Sequence, residues 1–244
     1  MFDSWLQKGS NEMKMHRFYV YDTELKHDFW LKDSTLFHQW TRVLRFDAGR
    51  EVVLFNDKRQ ERLYKIAQIG DDAVHLELVT DLKPKCPVTD IYLCFSLLKK
   101  DKNEWVLQKA TELGVSHFVP LLCDRTEKTG FDLARATKIV IEASEQCGRT
   151  DIPRVREPIH LHKVIEELHG KVKLFVAEQG SPDIQSLVSN PQSSESLAIL
   201  LGPEGGWTDS EKQLFIDKNI KHLSLSEFTL RAETACVAAA ALLS

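Results

Sequence analysis

The chain has 244 residues, of which 43% are hydrophobic and 28% are charged, and its formal net charge at pH 7 is −4. These proportions are ordinary for a globular protein that buries a real core. No apolar run approaches the roughly 20 residues that span a bilayer, and the N-terminus lacks a secretory signal, so we expect a cytoplasmic protein. Nucleic-acid binders often carry a basic excess, so any such contact in this acidic chain must rest on local patches.

The cysteines argue against a disulfide framework or a zinc site. Their number is odd, no two have the C-x-x-C spacing, and they are spread along the chain as Cys86, Cys94, Cys123, Cys147 and Cys236. We therefore expect reduced and mostly buried thiols. His160 and His162 form an H-x-H pair, but two ligands alone are weak evidence for a metal, and we predict none.

The N-terminal third has the pattern of a small β-structure. Residues 1–15 are polar and unpatterned, which predicts a flexible extension. Apolar and polar residues alternate in 73–79, as in a strand with one buried face. Strands are predicted at 16–21, 51–55, 62–69 and 73–79, and turn signals follow the middle two. We expect a small antiparallel barrel or sheet up to about residue 82, and a linker at 83–87.

After this linker, strands and helices alternate. Apolar runs predict buried strands at 91–97, 172–177 and 197–201, and further strands are predicted at 117–122 and 221–226. Helices are predicted from a cap at Asn103 to a stop at Gly114, over 134–147, after the capping box Thr208–Glu211, and over 234–243. The last helix is almost entirely Ala, Val and Leu, so we expect it to be buried on most sides. This alternation predicts an α/β domain with a mainly parallel sheet covered by helices.

One predicted strand, 197–201, leads directly into Gly202-Pro203-Glu204-Gly205-Gly206. Parallel sheets bind ligands at the carboxyl ends of their strands, and glycines there let the backbone approach a ligand closely. From composition alone, a plain glycine-rich turn is an equal alternative. The spacing matches neither the phosphate loop nor the dinucleotide-binding motif.

A second segment, 223–235, runs from a strand through a polar loop into the last helix. Arg231 and Glu233 stand where this helix begins. Taken alone, Glu233 and Thr234 also suit the first turn of any helix, where acidic and capping residues are favoured. By themselves, these residues therefore favour an ordinary helix start over a binding site.

The order of several motifs resembles one protein family. The segments are Leu201-Gly202-Pro203-Glu204-Gly205-Gly206, Leu230-Arg231-Ala232-Glu233-Thr234-Ala235, the stretches 103–115 and 143–149, and Arg17-Phe18-Tyr19 with His38 and 42–45. Together they resemble the bacterial 16S ribosomal RNA uridine N3-methyltransferases, the small subunit methyltransferase E family of the SPOUT class of knotted methyltransferases. The resemblance covers the chain from Arg17 onward. Two features depart from the family pattern: Ala232 replaces the usual Thr, and Glu227-Phe228-Thr229 replaces a segment such as Gly-Pro-Arg.

The resemblance implies a fold and a cofactor. Residues 16–83 would form a PUA-like RNA-binding β-barrel, and residues 84–244 would form a trefoil-knotted α/β methyltransferase domain that acts as a homodimer. The cofactor would be S-adenosylmethionine. The residues implied to bind it are Ala177, Glu178, Leu201, Gly202, Pro203, Glu204, Gly205, Gly206, Leu223, Leu225, Leu230, Arg231, Ala232, Thr234 and Ala235.

The implied reaction methylates N3 of a uridine in 16S ribosomal RNA of the small subunit. Neutral uracil carries a proton on N3, so a base must remove it or donors must stabilise the anion. Arg149 and Arg231 are our candidate donors, and Glu233 or Glu145 is the candidate proton acceptor. For RNA docking we name Arg17, Arg42, Arg45, Lys99, Lys100 and Lys102.

Two alternatives stay open at this stage. The chain could be a knotted methyltransferase that acts on tRNA or on a ribose. It could also be a non-catalytic RNA-binding or ribosome-assembly protein with the same fold. The predicted N-terminal barrel and the segment 145–149 favour the uridine-N3 interpretation.

Overall fold

In the computed structural model of the protein, residues 15–127, 130–183 and 196–244 are described. Their contacts divide the chain into two units, with the boundary between Lys85 and Cys86. The extension predicted at 1–15 falls almost entirely outside the described residues.

The first unit is built around a five-stranded sheet. Its strands are β1 (Arg17–Val20), β2 (Asp28–Leu31), β3 (Glu51–Asn56), β4 (Glu61–Ile69) and β5 (Val74–Asp81), in the order β1-β3-β4-β5-β2. The pairs β3–β4, β4–β5 and β5–β2 are antiparallel, whereas β1 pairs with β3 in parallel. The predicted antiparallel sheet is confirmed for β2 to β5, whereas β1 pairs in parallel, and β1 and β2 stand at the two ends of this strand order.

A short helical segment completes the first unit. Helix α1 (Ser34–His38) continues into a π-helical turn, Gln39–Val43. The Asp33 carboxylate caps α1 by accepting hydrogen bonds of 2.9 Å from the backbone N–H groups of Thr35 and Leu36. Trp40 is 1% exposed and packs in the core of the sheet. Helix α1 and strand β2 were not predicted, because they span five and four residues and have too few positions to show a period.

The second unit contains a seven-stranded sheet in which every pairing is parallel. Its strands are β6 (Ile91–Ser96), β7 (His117–Leu122), β8 (Arg154–Val155), β9 (Ile159–His160), β10 (Lys173–Ala177), β11 (Leu197–Leu201) and β12 (Lys221–Leu223). The order is β12-β10-β11-β6-β7-β8, and β9 also pairs with β7. The prediction of a mainly parallel sheet with helices is confirmed.

Helices cover both faces of this sheet. They are α2 (Lys100–Glu112), α3 (Leu133–Cys147), α4 (Leu161–Leu168), α5 (Asp209–Asp217) and α6 (Ala232–Leu243). Helices α2, α3 and α6 contribute to one apolar cluster with β6 and β11, and α4 and α5 contribute to the other. Each large apolar side chain buried in this way contributes about 1.5–3 kcal/mol to stability, so the two clusters hold the strand ends in fixed positions.

Two predicted helix boundaries are confirmed by their caps. Thr208 and Glu211 form the reciprocal capping box at the start of α5. Gly148 ends α3 in the left-handed conformation, with φ of 88°.

Three cysteines, Cys94, Cys123 and Cys236, are buried, but Cys147 is exposed and Cys86 is partly exposed.

Three other predictions are corrected. Asn103 does not cap α2, which begins at Lys100; its buried carboxamide instead bonds both the N–H and the C=O of Leu98 at 3.0 Å. Strand β12 ends at Leu223 rather than at Ser226, because its pairing partner β10 ends at Ala177. The backbone N–H of the next residue, Ser224, donates to the carbonyl of Pro182 at 2.8 Å. Helix α6 is not buried on most sides: only four of its residues are buried, namely Cys236, Ala239, Ala240 and Leu243.

Within the described ranges, no group of three or more His, Cys, Asp and Glu side chains could hold a metal ion. No helix in that part of the chain is long and apolar enough to cross a membrane.

Candidate active site

A cleft of about 640 Å³ opens at the carboxyl ends of β10, β11 and β12. Strands in a parallel sheet end at the same edge, so loops that are far apart in sequence meet there. The lining comes from residues 177–179, 201–207, 224–226 and 228–233, together with Lys102, Arg125, Lys212 and Ala235. Volume and location are those of a small-molecule site.

The glycine-rich loop after β11 forms the floor of this cleft. Trp207 is 6% exposed, and its indole packs directly against Gly202. A Cβ atom on Gly202 would lie 2.9 Å from Cε2 of Trp207, closer than real Cβ contacts. Gly206 adopts a φ of 70°, which suits glycine better than other residues. Close packing and backbone conformation therefore explain why glycines stand here.

The loop after β7 is fastened to this glycine-rich loop. Nη1 of Arg125 donates a 2.7 Å hydrogen bond to the carbonyl of Gly205. The Asp124 carboxylate accepts a 2.8 Å bond from the Thr208 hydroxyl, and its backbone N–H donates to Glu211 at 3.0 Å. These contacts fix Arg125 in the wall of the cleft. The sequence analysis missed Arg125, because no local spacing links it to a residue 80 positions away.

Glu178, directly after β10, presents a charged carboxylate to the cleft. Nζ of Lys212 donates to one oxygen at 2.8 Å, and Nδ1 of His222 lies 2.7 Å from the other. The Lys212 hydrogen bond, with a further contribution from His222, lowers the pKa of Glu178. An ionised carboxylate accepts hydrogen bonds from hydroxyl or ammonium groups. Lys212 and His222 were not predicted.

Glu233 and Arg231 stand at the start of α6. Oε2 of Glu233 lies 3.0 Å from Nζ of Lys102, in the first turn of α2. A hydrogen bond from its own backbone N–H, followed by Lys102, lowers the pKa of Glu233. A lowered pKa makes this carboxylate a weaker proton acceptor. Arg231 is exposed at the mouth of the cleft.

The second unit matches a known domain family, and most of the chain matches proteins of known name. Residues 84–244 match the RNA methyltransferase domain family. Ribosomal RNA small subunit methyltransferase E from Rickettsia conorii is 31% identical over 206 residues, which cover 84% of each chain. The chain belongs to the ribosomal RNA small subunit methyltransferase E family. The family predicted from the motifs is thereby confirmed.

Solved structures give the same result. Small subunit methyltransferase E from Neisseria gonorrhoeae, bound to S-adenosyl methionine, matches with a TM-score of 0.84 and 25% identity, covering 93% of this chain and 95% of that chain. A putative methyltransferase from Legionella pneumophila with bound SAM matches with a TM-score of 0.82 and 28% identity, covering 94% and 97%. This member of the methyltransferase E family therefore shares its fold with proteins solved with that cofactor.

The cleft in this chain brings together most of the residues predicted to bind the cofactor. Those in its lining are Ala177, Glu178, Leu201, Gly202, Pro203, Glu204, Gly205, Gly206, Leu225, Leu230, Arg231, Ala232 and Ala235. Leu223 is fully buried in the apolar cluster, and its side chain lies outside the lining. Thr234 is exposed on α6 and lies outside the lining.

Arg149 and Glu145, predicted as catalytic, lie outside the cleft of the chain. Arg149 is 6% exposed, and its Nη1 donates 2.9 Å bonds to the carbonyls of Thr111 and Val115. Its Nη2 and Nε donate to the Asp151 carboxylate at 2.5 and 3.1 Å. This arrangement ties the end of α2 to the segment that precedes β8. Arg149 therefore makes structural contacts within this chain and lies outside the cleft lining.

The six residues predicted for RNA docking differ in accessibility. Arg42, Arg45, Lys99 and Lys100 are exposed. Arg17 has a side chain that is 15% exposed, pairs with Glu61 and lies over the Phe55 ring. Lys102 lines the cleft and pairs with Glu233. Arg17 and Lys102 are therefore engaged within the protein.

Proposed function

We propose that this protein transfers a methyl group from S-adenosylmethionine to N3 of a uridine in 16S ribosomal RNA of the small subunit. One observation carries the proposal: the glycine-rich loop, the ionised Glu178 and the Arg231–Glu233 segment meet in one cleft at the strand ends of a methyltransferase E family member. The names of the curated relatives support the small-subunit RNA as the target. The choice of uridine N3 rests on the motifs.

The cleft fits S-adenosylmethionine. Its volume of about 640 Å³ lies in the usual range for small-molecule sites. Leu225, Leu230 and Ala235 provide apolar surface, while Glu178 provides a fixed acceptor for hydroxyl or ammonium groups. The bound cofactor would supply a methyl group on a positively charged sulfur. The glycine-rich loop would hold it through backbone groups, which approach closely because no Cβ intervenes.

Arg231 is the group that we propose to act on the uracil. Loss of the N3 proton to solvent water leaves negative charge that spreads onto O2 and O4, and a guanidinium stabilises such charge. Glu233 is a poor choice for the base because its pKa is lowered. We therefore assign Glu233 to holding Lys102 at the mouth of the cleft. Arg125 provides a second cation in the wall.

RNA contacts would come from exposed cations outside the cleft. Arg42, Arg45, Lys99 and Lys100 are accessible to phosphates. Because N3 lies on the pairing edge of uracil, the target nucleotide must be unpaired or flipped out. Glu145 and Arg149 have no proposed contact with it.

The finer features of the fold belong to the same proposal. We propose that the first unit is a PUA-like RNA-binding domain, supported by its curved five-stranded sheet, and that the second unit is knotted, supported by the order β12-β10-β11-β6. A homodimer is supported by partly exposed apolar surface on two helices that pack together: Trp105 on α2, and Val237, Ala238 and Leu242 on α6.

The test is a cofactor titration followed by a transfer assay. Calorimetry should show binding of S-adenosylmethionine, and a labelled methyl group should then appear in 16S ribosomal RNA or in small subunits but not in tRNA. Cofactor binding without transfer to any RNA would favour a non-catalytic assembly protein. Transfer to tRNA alone would favour a tRNA methyltransferase.

A further inference from the structure

Phe228 exposes an aromatic ring at the rim of the cleft. The residue is 77% exposed and contributes to the cleft lining. The other aromatic residue of the lining, Trp207, is 6% exposed and packs beneath Gly202, so it offers no free face to a ligand. An aromatic ring exposed at the rim of a cleft offers a flat face on which a base can stack.

The loop that carries Phe228 is held in place on both sides of the ring. The backbone N–H of Phe228 donates to the Ser226 hydroxyl at 3.1 Å, and the Ser224 hydroxyl donates to the Ser226 carbonyl at 3.0 Å. On the other side, the Thr229 hydroxyl donates to the Gln179 side chain at 2.9 Å. This loop is pre-organised for binding, because its backbone is anchored while the aromatic ring is exposed. The loop therefore loses little conformational entropy when a partner binds.

We propose that the Phe228 ring stacks on the base of a nucleotide next to the target uridine. Single-stranded RNA is commonly recognised by aromatic side chains that stack on splayed bases. The target uracil must enter the cleft to reach the methyl group of the bound cofactor, whereas a ring that is 77% exposed lies at the rim and meets the neighbouring nucleotide. This inference rests on the proposed RNA methyl transfer and adds a base-contacting residue to it.

The charges around the ring favour a base over a phosphate. Glu227, the preceding residue, is exposed and would repel a phosphate placed at the ring. Arg125 is a cation in the same cleft and can take a backbone phosphate. The uncharged face of a base therefore suits Phe228, and the phosphate suits Arg125.

The first experiment measures the affinity of unmodified 16S ribosomal RNA for four variants by filter binding. Phe228→Ala and Phe228→Leu should weaken binding roughly 5- to 100-fold, the range expected for loss of one stacked base. Phe228→Trp should bind as tightly as the wild type. Ile216→Ala removes an apolar side chain on α5 that is 65% exposed and outside the cleft lining, and it should leave RNA affinity unchanged.

A second experiment identifies the stacked base. Two transcripts each carry one abasic nucleotide, on the 5′ or on the 3′ side of the target uridine. If Phe228 stacks on the base at one of these positions, the wild type and Phe228→Ala should bind the transcript that lacks this base with equal affinity. The inference is overturned if Phe228→Ala loses the same affinity for the intact and both abasic RNAs. The inference is also overturned if Phe228→Ala loses cofactor affinity and RNA affinity equally, or if it changes the oligomeric mass of the protein and leaves RNA affinity unchanged.

These outcomes separate the inference from the proposed function. If the wild type binds and methylates the RNA while Phe228→Ala does so equally well, only the stacking role of Phe228 fails. If the wild type binds none of these RNAs, the proposed function and the stacking role are both overturned.

Discussion

Nζ of Lys102 lies 3.0 Å from Oε2 of Glu233, although the two residues are 131 positions apart. The ion pair joins the first turn of α2 to the first turn of α6 at the mouth of the cleft. It also helps to lower the pKa of Glu233, after the hydrogen bond from that residue's own backbone. The pair therefore joins the two helices beside Arg231 and makes the Glu233 carboxylate a weaker proton acceptor.

Lys102→Met should lower the free energy of unfolding at about pH 7 by roughly 0.5–1 kcal/mol, the usual contribution of a partly exposed ion pair. Glu233 has a lowered pKa in the folded protein, so its stabilisation is present above the ordinary carboxyl pKa and is lost as pH falls through the lowered value. Urea unfolding at about pH 7 and about pH 3 measures this difference. Lys109→Met breaks an exposed pair with Glu112 on the same helix and serves as the control. An equal loss at both pH values for Lys102→Met would contradict the assignment.

Arg231→Ala should lower kcat by roughly 100- to 1000-fold at saturating cofactor and RNA, as expected when one donor to a developing negative charge is removed. Arg231→Lys keeps the charge without the planar geometry and should retain part of the rate. Single-turnover methyl transfer measures both variants. Full transfer by Arg231→Ala would exclude the proposed role.

Gly202→Ala should weaken S-adenosylmethionine binding. The added Cβ would lie 2.9 Å from the Trp207 ring, which is buried and must shift into the floor of the cleft. Overpacking of this kind costs about 1–3 kcal/mol, so we expect roughly 5- to 100-fold weaker binding by calorimetry. Gly130→Ala is the matched control, because a Cβ there would meet nothing within 4 Å. Wild-type affinity in Gly202→Ala would show that the floor tolerates the shift.

Arg149→Met should destabilise the protein by about 3 kcal/mol, because it leaves a carboxylate and two carbonyls without their buried cation. Those groups are Asp151, Thr111 and Val115. Arg156→Met breaks an exposed pair with Glu167 and should cost about 1 kcal/mol or less. Denaturant unfolding compares the two. A variant Arg149→Met with wild-type stability and no methyl transfer would restore the catalytic role predicted from the motifs.

Much of the fold could be predicted from local patterns. The alternation in 73–79 marked β5, and the apolar runs marked the parallel strands. The capping box at Thr208 and the glycine stop at Gly148 are local signals whose geometry the structure confirms. Asn103 shows the limit of such signals, because its carboxamide bonds Leu98 rather than the first turn of the helix. Composition alone does not distinguish the two partners.

The cleft could be predicted only where its segments are contiguous. Residues 201–206 and 230–235 were found because strand ends and glycines mark them. Arg125 and Lys212 were missed, since they reach the cleft from the loop after β7 and from α5, and no spacing relates them to the predicted segments. Arg149 was predicted at the site because it stands in a family motif, but burial and four hydrogen bonds give it a structural role.

The most direct test of the proposed uridine-N3 methylation is nucleoside analysis of 16S ribosomal RNA. RNA from cells with and without this gene is digested and analysed by mass spectrometry, with the Arg231→Ala gene as a third sample. We predict that N3-methyluridine is present with the intact gene and absent from the other two samples. Unchanged N3-methyluridine without the gene, or the loss of a ribose-methylated nucleoside in its place, would contradict the proposal.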